Sequence, residues 1–132
     1  MFLTTFSLSE RKSFLALAIQ LVHTDGEFAA IEEQRLRALR RVMALPADTD
    51  IPDDPISGLP EPFTTRETRA KVVIELLKLA YVDGVFDRRE RAMIKDIGER
   101  FGLSHDDLNR MEAWTIRLNQ LREEAATLWT DQ

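Results

Sequence analysis

Two stretches of this chain carry the side chains best suited to chemistry: Asp25-Gly-Glu-Phe-Ala-Ala-Ile-Glu32 and Asp83-Gly-Val-Phe-Asp-Arg-Arg-Glu90. They lie 83 − 25 = 58 residues apart, and Asp, Gly, Phe and Glu coincide. Carboxylates are hard oxygen donors. Brought together, Asp25, Glu32, Asp83 and Glu90 would suit a divalent cation such as Ca²⁺, Mg²⁺ or Mn²⁺, not a soft metal. His23, two residues before Asp25, could assist. The spacing is not that of an EF-hand loop, which needs oxygen-bearing side chains at alternate positions before its Gly.

Local stability explains part of the pattern without any ligand. Gly26 and Gly84 suit the left-handed residue that ends a helix. Phe28 and Phe86 can plug the gap between two crossing helices. A carboxylate in a helix's first turn is favoured by the helix dipole, and Glu90 can also complete a capping box with Asp87. Position 29 is Ala, so Glu32 lacks such a partner. Asp25 and Asp83 stand at helix C-termini, where the dipole disfavours them. These three carboxylates are the ones local stability explains least.

Other chemistries find little footing. The chain has no Cys, which removes disulfides, thiolate metal sites and thiol nucleophiles and fits a reducing cytosol. Its Ser, His and Asp residues follow no nucleophile-elbow or triad pattern, and no Gly-rich phosphate loop is present. A hydrolase built on a carboxylate pair would need a tuned pocket. A non-catalytic protein is therefore expected. The net charge of −5 opposes nucleic-acid binding, which draws on a basic excess. Arg35, Arg37, Arg40 and Arg41, like Arg88, Arg89 and Arg91, are interleaved with Glu at helical spacing and read as a solvated face. The expected partner is another protein, basic or apolar, docked on the acidic surface or in a groove between the halves. Trp129, Trp114 and Met111 are candidate contacts, although the spacing of the last two also suits a core.

These motifs must be positioned by helices. All five prolines fall between Pro46 and Pro62, with Gly58 and four Asp among them, which marks a linker, since proline removes helix donors and restrains its predecessor. On either side the pattern is helical. Ser7-Leu-Ser-Glu10 has the form of a capping box opening a helix to about Thr24, and a second helix covers roughly Ala30 to Ala44. Thr64-Thr-Arg-Glu67 and Asp87-Arg-Arg-Glu90 form two further boxes, the latter helix stopped by Gly102. Ser104 caps a last helix whose inner face is predicted to hold Met111, Trp114, Leu118, Leu121 and Leu128. The 58-residue offset also aligns Leu21 with Leu79, Leu36 with Ile94, Leu39 with Ile97 and Leu45 with Leu103. No period-2 alternation is present. The expectation is one all-α domain over 1–132. It is a bundle of about five to seven helices, with repeat halves at about 7–45 and 65–103, a linker at 46–63 and a C-terminal helix at about 104–129. The longest apolar run, Phe14 to Val22 interrupted by Gln20, is far short of a membrane span of ~20 residues.

The double Asp-Gly-x-Phe-x-x-x-Glu pattern, each copy preceded by an apolar helix, resembles the TerB-like family over about Phe14 to Leu108. That family is named after bacterial tellurite-resistance proteins and includes domains of some membrane-anchored J-domain co-chaperones. The resemblance implies a compact helical bundle, a cytoplasmic setting, a stress-related role and acidic residues suspected of holding a metal ion. It implies no defined activity. The sequence lacks His-Pro-Asp, hence a J-domain, and its long Pro-rich linker marks a divergent member.

Overall fold

The computed structural model describes residues 2–24, 30–81 and 86–130, the side chains of 30–32 excepted. A short 3-10 turn, Phe2–Thr5, precedes five α-helices: α1 Leu8–Val22, α2 Ala30–Val42, α3 Arg66–Tyr81, α4 Arg88–Arg100 and α5 His105–Thr127. No strand occurs among the described residues. No helix there is long and apolar enough to cross a membrane.

The bundle is organised around α1 and α3. In α1 the six consecutive residues Ser13 to Ala18 are all buried. Six residues exceed one helical turn, so the middle of this helix is covered on every side. In α3, Val72, Val73, Leu76, Leu77 and Ala80 are buried together with one carboxylate, Glu75. That carboxylate accepts the Phe2 backbone N–H at 3.2 Å and the Lys78 ammonium at 3.2 Å, so it is paired where it is dry. The remaining elements enclose this pair. The α2 helix packs on α1, α4 on both, and α5 and the 3-10 turn on α3.

Residues 43–65 form turns without a regular element. They are not a loose tether, because Leu45, Leu59 and Phe63 sit in the core cluster. Phe63 meets Phe6 at 6.2 Å and Phe101 at 5.8 Å, which fastens the Pro-rich stretch to both ends of the bundle.

The ends of α2 and α4 are built alike. Leu45 N–H bonds to Arg40 C=O at 2.8 Å and Ala44 N–H to Arg41 C=O at 3.1 Å. Leu103 N–H bonds to Gly98 C=O at 3.0 Å and Gly102 N–H to Glu99 C=O at 3.0 Å. Both are Schellman caps with a left-handed residue: Ala44 at φ 55° and Gly102 at φ 75°. An arginine from the preceding helix covers each exposed carbonyl. Arg11 Nη1 donates to Met43 O at 2.6 Å, and Arg69 Nη1 to Phe101 O at a longer 3.5 Å. Gly98 lets α5 approach closely, since a Cβ there would meet Leu108 Cδ2 at 2.6 Å.

Two local expectations are corrected. The box at Thr64 does not form. Thr65 is the cap, its hydroxyl accepting from Thr68 N–H at 3.1 Å, because α3 starts one residue later than the Thr64-to-Glu67 spacing requires. Leu121 and Leu128 are also not on an inner face: they are 60% and 84% exposed, because α5 runs 23 residues and its distal half outlasts the helices it packs against. The boxes at Ser7, Asp87 and Ser104 form with both hydrogen bonds.

The two caps predict opposite responses to one methyl group. A non-glycine residue in the left-handed region costs roughly 1–2 kcal/mol, partly offset by the roughly 0.5–1 kcal/mol of extra chain entropy a glycine loses on folding. Ala44→Gly should therefore raise unfolding stability by up to about 1 kcal/mol. Gly102→Ala, where a Cβ meets nothing within 4 Å, should lower it by a similar amount through strain alone. Urea denaturation of both variants checks this, and a loss of stability in Ala44→Gly would contradict it.

Candidate functional site

A cleft lies where the end of α3 meets α4 and α5. It encloses about 230 Å³. Its floor is apolar: Leu77 from α3, Ile94 from α4, Leu108 from α5, and Phe86 just ahead of α4. Helical periodicity puts these residues here, since Leu77, Ile94 and Leu108 belong to the inward faces of three converging helices.

One wall is a tied polar cluster. Tyr81, the last residue of α3, donates its hydroxyl to Glu112 Oε1 at 2.8 Å. Arg91 Nη1 lies 2.8 Å from the same oxygen and 3.0 Å from Oε2. The Arg91 guanidinium also stands 4.4 Å from the Phe86 ring centroid, and Phe86 packs at 4.9 Å from Tyr81. Burial pushes the Tyr81 phenol above its usual value near 10, and the bond to the Glu112 carboxylate pushes the same way, against the opposing pull of Arg91. The other wall carries the exposed side chains of Lys95, His105 and Asn109. An apolar floor under an ammonium and an amide suits a group with an apolar body and an anionic end.

The four carboxylates proposed from sequence fall mostly elsewhere. Asp25 and Asp83 lie outside the described residues, as do Gly26, Phe28 and Gly84. Glu32 belongs to the first turn of α2, with its side chain outside that description. Glu90 is described. Its Oε1 accepts Asp87 N–H at 3.2 Å while Asp87 Oδ1 accepts Glu90 N–H at 2.8 Å, so it closes a capping box. Among the described residues no group of three or more acidic or His side chains could hold a metal ion. His23 is exposed at the end of α1. Of the suggested contact residues, Trp129 is 73% exposed, while Met111 and Trp114 are half-buried.

Sequence reasoning missed Tyr81, Arg91 and Glu112. They are separated by up to 31 residues, and each alone is an ordinary helix-surface residue. The available signal was the protein's single tyrosine standing two residues before the second Asp-Gly.

Residues 56–113, somewhat under half of the chain, are similar to the family model of the tellurite resistance protein TerB. The matched stretch takes in α3, α4, the first part of α5 and every residue of the cleft. Residues 14–55 of the stretch on which the double motif suggested the resemblance lie outside it. No curated protein and no solved structure matches the chain.

Two measurements probe this region. Tyrosinate absorbance should show the single tyrosine titrating above 10, with Glu112→Gln moving the midpoint part of the way down because burial remains. A folded value above the unfolded one means the stability Tyr81 contributes is complete below pH 10 and is lost as pH rises through the raised value. A titration no higher than that of free tyrosine would contradict the buried, bonded phenol. Glu90→Gln should cost only a few tenths of a kcal/mol, since an amide still closes the box. Its melting response to millimolar Ca²⁺, Mg²⁺ or Mn²⁺ should match the parent's, and a response present in the parent and lost in the variant would make Glu90 a ligand instead.

Proposed function

We propose that this chain, TerB-like over residues 56–113, is a non-catalytic interaction module that receives a protein partner in the cleft between α4 and α5. The observation that carries this reading is the cleft itself: an apolar floor open to solvent, with Lys95, His105 and Asn109 on its free rim. Such a site takes an apolar side chain with a neighbouring carboxylate, the chemistry of an acidic peptide segment. The net charge of −5 opposes nucleic acid, whose many phosphates meet the whole surface, whereas a single carboxylate meets Lys95 on the rim. The assignment without catalysis is supported by the other wall, where Arg91 and Glu112 are tied to each other and Glu112 also to Tyr81. The setting proposed with it is the cytoplasm.

We infer a duplicated architecture beside this function. Supporting it, α2 and α4 occupy 30–42 and 88–100, ranges 88 − 30 = 58 residues apart at both ends. The same offset relates Ala44 to Gly102 and the pair Arg11–Met43 to the pair Arg69–Phe101.

A photo-crosslinking residue at Asn109 tests the interaction reading. The expected result is a discrete protein adduct that Lys95→Glu greatly reduces and that a crosslinker at exposed Arg89 does not give. Equal adducts from both positions, or an adduct indifferent to Lys95→Glu, would overturn it.

A further inference from the structure

The distal half of α5 presents an apolar edge that nothing in the described chain covers. Leu121 is 60% exposed and Leu128 84%. At 100° per residue these two share one side of the helix with Trp114 and Ala125, flanked by Arg117 and Glu124. Farther back on that side lies a broad groove of about 640 Å³ lined by Phe2, Ile74, Met111 and Trp114 and rimmed by Arg110 and Arg117. Phe2 stacks on Trp114 at 6.4 Å and so fixes the groove's aromatic floor. One helix therefore carries both an exposed apolar edge and an apolar groove, on the same side.

From this we infer that the chain pairs with a second copy of itself through α5, the two helices antiparallel and related by a twofold axis beside Leu121. An isologous contact requires that residue 121 − n face residue 121 + n. Leu121 then meets its own counterpart, and Trp114 meets the second copy's Leu128, which enters the groove. Arg117 comes level with the second copy's Ala125 and so beside the neighbouring Glu124 on the same flank, and this pair occurs twice. The segment from 114 to 128 spans roughly 21 Å at about 1.5 Å per residue. A parallel pair in register does the reverse, setting Arg117 of each copy near the like-charged Arg122 of the other. Charge thus selects the second copy and its direction, by attraction in one arrangement and repulsion in the other. This pairing is independent of the α4–α5 cleft, whose Glu112 and Asn109 lie on another side of the helix.

Sedimentation velocity over a concentration series tests the pairing, with circular dichroism checking the fold. The wild type should pass from monomer to dimer with rising concentration. Leu121→Glu, at an exposed position beside the axis, should remain a folded monomer throughout. Arg117→Glu should weaken dimerisation at least tenfold by opposing Glu124. Arg117→Glu combined with Glu124→Arg should restore it, which only the antiparallel arrangement allows. A monomeric wild type at all concentrations would overturn the inference and leave the edge to a helix of another protein. So would a dimer insensitive to Leu121→Glu, or one that the double charge reversal fails to rescue.

Discussion

Two of the five helices, α1 and α3, bury the largest share of the core, and the remainder of the molecule follows from covering them. Phe14, Leu15 and Leu17 of α1 and Val72, Val73 and Leu76 of α3 are fully buried. Each such side chain is worth roughly 1.5–3 kcal/mol removed from water. No single neighbouring helix can cover a rod on all sides, so α2, α4, α5, the 3-10 turn and the Pro-rich stretch each take a sector. The same enclosure constrains the polar groups caught inside. Ser13, Glu75 and Thr115 are buried, and no buried side-chain nitrogen or oxygen among the described residues lacks a partner.

The cleft is a by-product of this covering. Near the end of α3, Leu77, Ile94 and Leu108 from three helices line one opening instead of closing on one another. A tyrosine bonded to a carboxylate that an arginine also holds keeps one wall in place there. The exposed edge at Leu121 and Leu128 has a related origin: α5 is longer than the helix it packs on, so part of its apolar side passes beyond the core.

What was legible in the sequence was local. Capping boxes at Ser7, Asp87 and Ser104 depend on residues three apart, and the structure forms all three. Thr64 failed because two adjacent threonines offer the same cap chemistry, and packing of α3 chose Thr65. The burial of Leu121 and Leu128 was misjudged because periodicity identifies the apolar side of a helix but says nothing of whether a neighbour reaches it. The Pro-rich stretch read as a linker, yet Phe63 at its end is fully buried. Proline content reveals where helix stops and is silent on what the irregular chain packs against. The Tyr81–Glu112 bond spans 31 residues and leaves no mark on either local pattern.

The arginines at the helix ends bear on how the molecule breathes. Arg11 rises from the first turns of α1 to hold Met43 O at the end of α2, and Arg69 likewise joins the first turn of α3 to Phe101 O and to Phe63 O. Helix termini ordinarily fray first, opening at almost no free-energy cost. Here unwinding the last turn of α2 or α4 also releases a guanidinium that another helix has immobilised, and pulls Leu45 or Leu103 out of the core. Backbone amides at these two ends should accordingly exchange with solvent on the timescale of whole-domain opening, and the most readily exchanging amides should lie in the distal turns of α5.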